Sequence, residues 1–263
     1  MTRVGNLEAT IRAELRALRP RAPQPVCERH LVVLLHGWAG WSRQLLSLEQ
    51  HLAPRLGRRV VRAQFGRGLD CIRGCAERAN AAIERFAERG PLESVDLVGF
   101  SMGGLVATEL LKSWDQGRRV RSVVTLGTPH RGSPLARLGT HVLRGWSGSL
   151  GQMLPEAGFL RALQARPLPR DTTLHSVAGA NDLLVPPRYA ELSRRSGHHN
   201  VVLLGADHFG LALQPDAHRL VERILRRRAA APAGAPLPCD RCEREAQRLL
   251  EAPVHGSSSE ALV

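Results

Sequence analysis

Three side chains of this 263-residue sequence have the types and order that acyl transfer requires: Ser101, Asp182 and His208. That chemistry needs a nucleophile, a base to deprotonate it, an acid to orient the base, and donors for the oxyanion. Ser101 is the centre of the pentapeptide Gly99-Phe100-Ser101-Met102-Gly103. A mostly apolar run, Val95 to Val98, leads into it, and a helix-compatible segment comes after it. Strand, very tight turn and helix is the order that holds a serine hydroxyl above a sheet edge and aims the next backbone N–H at a developing oxyanion. Gly99 and Gly103 stand where side chains would collide as the two elements cross, and Gly104 lets the helix pack close. The pentapeptide alone is common, and a chance Gly/Ser turn is its plainer reading.

Two loops further along the chain decide between an elbow and a chance turn. Asp182 lies in Gly179-Ala180-Asn181-Asp182-Leu183-Leu184-Val185-Pro186, a loop after one strand pattern. His208 lies in Gly205-Ala206-Asp207-His208-Phe209-Gly210, a loop after the next. Singly, Asp182 reads as a turn or helix-cap carboxylate and His208 as an exposed loop histidine. Arriving as Ser, Asp, His, each just past a strand end, they make a triad. Asp207 is a poor substitute acid, because a sequence neighbour of His208 cannot easily reach its Nδ1. His198, His199 and His218 are expected at the surface, and His175, inside a strand, is expected to be structural. The second oxyanion donor is expected from His36-Gly37-Trp38-Ala39-Gly40, as the Trp38 N–H beside that of Met102. His36 is expected to brace this loop rather than act as base.

These loops need a frame. Leu31 to Leu35 is a continuous apolar run, as in a strand buried on both faces. Further strand patterns fall at 59–65, 93–100, 120–126, 172–178 and 200–204. Helical patterns fall at 42–56, 70–89, 102–115, 187–195 and 209–228. Strands alternating with helices predict an α/β fold, a mainly parallel sheet with helices on both faces. Residues 134–170 break the rhythm and are expected to be a small inserted cap. The catalytic domain is therefore placed at 27–228. Residues 1–26 are expected to hold an amphipathic helix, carrying Leu7, Ile11, Leu15 and Leu18 at helical spacing, and a Pro-rich connector. Residues 229–263 read as an Ala/Pro-rich, partly disordered tail.

Composition narrows the remaining classes. The chain is 43% hydrophobic, as a globular domain is, and its net charge is +13. Lys112 is the only lysine, so arginine carries nearly all the basic charge. Apart from Arg226-Arg227-Arg228 the arginines are scattered, which favours a solvated surface over a nucleic-acid patch. No nucleic-acid partner is expected, and a basic surface leaves transient contact with a membrane surface open. No run approaches the length of a transmembrane helix and no secretory signal is visible. Five cysteines, an odd count, then favour reduced thiols and a cytoplasmic setting. The single Cys239-x-x-Cys242 pair is too few ligands for zinc, so no metal is expected.

The chain resembles the α/β-hydrolase superfamily, and within it the bacterial serine lipases and lipase-like esterases. The matching pieces are Leu34-Leu35-His36-Gly37-Trp38, the run from Val95 to Gly104, the stretch Thr125-Leu126-Gly127-Thr128-Pro129-His130-Arg131-Gly132-Ser133, and the loops of Asp182 and His208. Thr125 to Ser133 is the most discriminating. Phe100 departs from the pattern, since many relatives carry His before the serine. The resemblance implies an α/β-hydrolase fold and, without a cofactor, hydrolysis of carboxylic esters of lipid-like or apolar acyl groups through an acyl-enzyme. His36, Phe100, Trp146, Met153 and Phe159 are then candidate substrate contacts, ordinary packing being the alternative for the cap residues. An acyltransferase or thioesterase with the same triad, or a non-catalytic binding protein of this fold, are the other readings.

Overall fold

A computed structural model describes residues 27–67, 69–136 and 148–230. Its centre is a six-stranded, all-parallel sheet in the order β2-β1-β3-β4-β5-β6. The strands are β1 (Cys27–Leu35), β2 (Arg58–Ala63), β3 (Ser94–Phe100), β4 (Val120–Leu126), β5 (Thr173–Gly179) and β6 (His198–Leu203). Leu31 to Leu35 are all buried because both faces of β1 are covered. Leu31, Val33 and Leu35 face a layer built by α2 (Ile72–Ala87) and α3 (Met102–Glu109). Val32 and Leu34 face the opposite layer, from α1 (Leu46–Leu56) and α8 (Pro215–Ala230). A parallel sheet brings the carboxyl ends of its strands to one edge, so the loops after β1, β3, β5 and β6 gather there.

β3 carries a carboxylate inside this core. Asp96 is 3% exposed and is neutralised by the Arg58 guanidinium from β2, which also donates to the Leu225 carbonyl of α8 at 2.9 Å. One ion pair thereby ties two strands to the last helix.

Several expected helices are shorter than the pattern predicts. The segment expected as a helix over 187–195 is one turn, α6 (Pro187–Ala190), and Glu191 leaves it in an extended conformation. Asn200 on β6 holds the extended chain instead, accepting from the Leu192 N–H at 2.8 Å and donating to its carbonyl at 3.1 Å. The helix expected over 209–228 is broken into α7 (Gly210–Leu213) and α8, with Gln214 extended between them. Pro215 explains the break, since proline disfavours the helical region for the residue before it. After Glu109 the helix leaving Ser101 widens into a π-helical stretch, Leu110–Asp115.

The insertion contributes α4 (Gly148–Gln152) and α5 (Gly158–Ala165), whose Leu150, Leu160 and Leu163 are buried against the α2/α3 layer. Gln152 also accepts the Ile72 N–H at the start of α2, at 2.6 Å. Trp146 lies outside the described residues, as do the helix expected within residues 1–26 and the Cys239–Cys242 pair.

Candidate active site

Ser101 sits between β3 and α3 at φ 53° and ψ −124°, a backbone conformation that side chains rarely adopt. Such a turn costs about 1–3 kcal/mol and persists only where its surroundings enforce it. Three hydrogen bonds do so here. The Ser101 N–H donates to the Leu126 carbonyl at 2.7 Å, and the Ser101 carbonyl accepts from the Gly104 N–H at 3.0 Å and from Thr128 Oγ1 at 2.8 Å. Glycine is obligatory around this turn: a Cβ on Gly103 would land on the carbonyls of Leu35 and His36, and one on Gly99 on the Gly103 backbone. Close crossing of β3 and α3, the reason the sequence suggests, is found at Gly99, whereas Gly103 is required by the approach of α3 to the end of β1.

Asp182 and His208 come together from loops 26 residues apart. His208 Nδ1 donates to Asp182 Oδ2 at 2.7 Å, and both side chains are nearly inaccessible. The other carboxylate oxygen, Oδ1, accepts from the backbone N–H groups of Leu184 at 2.9 Å and Val185 at 2.7 Å. Asp182 is thus fixed at both ends, and so is the face of the imidazole it presents. Asp207 is elsewhere employed, accepting the Gly210 N–H at 2.6 Å. The pair stands beside the elbow: the His208 ring centroid is 5.0 Å from that of Phe100, the residue before Ser101. Among the described residues, the side-chain hydrogen bond of His208 is the one to Asp182. A base and its nucleophile often close to hydrogen-bond distance only once substrate is bound.

Gly127 shapes this corner. It lies at φ 57°, and a Cβ there would stand 3.1 Å from both Asp182 Oδ2 and His208 Nδ1. The sequence marks the stretch from Thr125 to Ser133 without giving Gly127 or Thr128 a task. The signal that could have found them is a glycine and a hydroxyl side by side at the strand end next to the elbow.

The loop after β1 faces Ser101 closely: a Cβ at Gly37 would lie 3.3 Å from the Ser101 Cβ. His36 beneath it is buried, stacked on Phe65 at 4.1 Å and nearly parallel, and donates from Nδ1 to the Gly37 carbonyl at 2.9 Å. Burial pushes its pKa down, with the carbonyls of Gly37 and Gly66 opposing. Met102 opens α3 and is buried, while Trp38 packs partly buried on the α2/α3 layer. Phe100 is buried under the His208 ring, Met153 belongs to the packed core, and Phe159 lies against that core.

The outlying histidines differ from expectation. His218 is buried and donates to the Ala212 carbonyl from Nε2 at 2.8 Å. His198 and His199 are half-buried, and His199 stacks on His175 at 4.5 Å. They are drawn inward because β5 and β6 pair His175 with His199, and because the break before Pro215 folds α8 back beneath Ala212. His130 is buried with Nε2 3.0 Å from Thr125 Oγ1. The Thr125 hydroxyl proton is committed to the His175 carbonyl at 3.1 Å, so His130 donates. Among the described residues, no helix is long and apolar enough to cross a membrane.

Solved structures of similar fold include the mature form of a Bacillus licheniformis lipase, with a TM-score of 0.63 at 18% identity, covering 79% of this chain and 94% of that one. A monoacylglycerol lipase of Paleococcus ferrophilus gives a TM-score of 0.57 at 17% identity over 79% and 98% of the two chains. An esterase of Thermogutta terrifontis gives 0.52 at 20% over 75% and 90%. No curated protein matches the chain in sequence. The fold is that of the α/β-hydrolase superfamily. A model of the PGAP1-like alpha/beta domain matches residues 71–207, just over half of the chain, and takes in Ser101 and Asp182. The chain therefore belongs to the family of PGAP1-like alpha/beta domains.

Proposed function

We propose that this protein is a serine hydrolase of carboxylic esters with lipid-like or apolar acyl groups, acting through an acyl-enzyme. The observation that carries the reading is the buried His208–Asp182 hydrogen bond at 2.7 Å beside a serine held in a strained elbow. Fold neighbours that are themselves lipases and an esterase lend it support. Ser101 Oγ attacks the ester carbonyl carbon as its proton passes to His208 Nε2. The Met102 and Trp38 N–H groups receive the oxyanion, each such donor being worth roughly 10²–10³ in turnover. Collapse breaks the bond to the alkoxy oxygen, which leaves as the alcohol with the proton from His208. Water, deprotonated by His208, then attacks the acyl-enzyme, releasing the acid and restoring Ser101. Asp182 keeps the proton on Nδ1 and stabilises the imidazolium.

The test is hydrolysis of short-chain and long-chain p-nitrophenyl esters by wild type and Ser101→Ala. Turnover by the wild type that vanishes in Ser101→Ala is expected. Activity retained in that variant removes the mechanism. Acyl transfer to an added thiol or amine, in place of hydrolysis, assigns the same triad to an acyltransferase.

A further inference from the structure

The helix that leaves Ser101 carries, two turns on, a carboxylate without solvent exposure: the Glu109 side chain is 0% exposed. Its Oε1 accepts from Arg73 Nε at 3.3 Å and from Ser113 Oγ at 2.9 Å. Its Oε2 accepts from Arg166 Nη1 at 3.2 Å. Arg73 comes from α2, Glu109 and Ser113 from α3 and its π-helical end, and Arg166 comes directly after α5 of the insertion. Together these elements border an open, solvent-facing hollow of about 360 Å³, lined by Arg73, Glu109, Lys112, Ser113, Trp114 and Arg166.

Charge in this hollow does not balance. Among the described residues, three cations line it against one carboxylate, leaving two positive charges in excess. Lys112 Nζ donates to the carbonyls of Leu163 at 3.1 Å and Arg166 at 2.8 Å, not to an acid. Arg195 adds a fourth charge nearby, its guanidinium on the Gln164 carbonyl at 2.9 Å. Burial first, then the charges of Arg195 and Arg166, lower the Lys112 ammonium to about 8, with Glu109 opposing. Each lining arginine spends one nitrogen on Glu109, and a guanidinium has five N–H donors in a fork that matches phosphate geometry. The Arg73 side chain is 62% exposed, so its remaining donors are open to a ligand. Trp114, 36% exposed, offers an apolar wall beside them.

We infer that this hollow binds a phosphate-monoester group between Arg73, Lys112 and Arg166, with the apolar part of the ligand against Trp114. A dianion matches the surplus of two charges, and the volume falls in the range of small-ligand sites, roughly 300–1,000 Å³. The site is separate from the Ser101 corner and does not depend on its chemistry. A bound phosphate would bridge α2, α3 and the end of α5, clamping the insertion to the helix that issues from the elbow.

Lys112 is the only lysine, so protein labelled with ¹³C at lysine Cε gives one side-chain resonance to track. It is titrated with inorganic phosphate and with phenyl phosphate at neutral pH and fixed ionic strength. A saturable shift is expected with both, with phenyl phosphate binding more tightly and the Lys112 titration moving to higher pH. Arg73→Gln, at an exposed side chain, should weaken binding about ten-fold or more. Trp114→Ala should abolish the preference for phenyl phosphate. Sedimentation with phosphatidylcholine vesicles containing phosphatidic acid, lost in Arg73→Gln and without response to the soluble phosphates, assigns the same chemistry to a lipid headgroup. No saturable response to any of the three, or equal responses in wild type and Arg73→Gln, overturns the proposal.

Discussion

Strain at a single residue gives the sharpest prediction. Ser101 is held at φ 53° by hydrogen bonds from its neighbours, and a Cβ is what makes that conformation costly. Ser101→Gly should therefore be more stable than Ser101→Ala by about 1 kcal/mol in urea denaturation, despite the greater entropy of unfolded glycine. Equal stability would mean that the elbow relaxes in the variants. Asp182→Asn should retain the fold and lower kcat by roughly 10³–10⁴, since the amide can support the wrong imidazole tautomer. Gly127→Ala pushes a methyl group against the Asp182–His208 pair, so kcat should fall by at least about ten-fold while KM changes little. The proposed roles of Ser101, Asp182 and His208 are legible because type, order and position at strand ends are local properties. That of Gly127 is not, because its task depends on two loops that meet it only in space.

At the scale of elements, the Arg58–Asp96 pair joins β2, β3 and α8 inside the core. Arg58→Ala removes the guanidinium that faces the buried Asp96 carboxylate and should destabilise the protein by about 3–5 kcal/mol in chemical denaturation. A double change to well-packed apolar residues should recover much of that loss, as removing both charges removes the desolvation penalty. The inner strands are recognisable from apolar runs, because a strand covered on both faces leaves a continuous hydrophobic signature, whereas the edge strands β2 and β6 are part-exposed and carry only a Val-Val pair each. Helix ends are less so. Residues 187–195 carry a helical pattern, yet the two hydrogen bonds of Asn200 to Leu192 compete successfully for that backbone. Pro215 is visible in the sequence, and its break between α7 and α8 obeys a local rule that the long apolar period obscures.

For the whole molecule, buried neutral histidines couple stability to pH. Burial holds His130 at about 3, with the charges of Lys112 and His198 adding to the effect, and burial likewise holds His175 at about 3 beside His199. In the unfolded chain both return to the ordinary value of 6.5. Above that value neither state is protonated and they contribute no pH dependence. Below it the unfolded chain takes up protons that the folded protein refuses. Stability should thus fall as pH drops from 6.5 toward 3, by up to about 1.4 kcal/mol per pH unit for each histidine. Urea denaturation across this window measures it. A flat profile would mean that the two rings are more hydrated than their packing indicates.

By itself the sequence determined the alternation that builds a parallel sheet and the order of the chemical groups along it, because hydrophobic period and turn chemistry act over a few residues. It also held the identity of the proposed nucleophile, since the glycines flanking Ser101 answer to a clash between adjacent elements. Only the tertiary structure decided how Asp182 and His208 meet, which histidines are buried, and what Gly127 and Thr128 do. The same holds for the charge around Glu109, contributed by α2, α3 and the end of α5. Each of these depends on distances between segments remote in sequence, and such distances are set by packing rather than by local pattern.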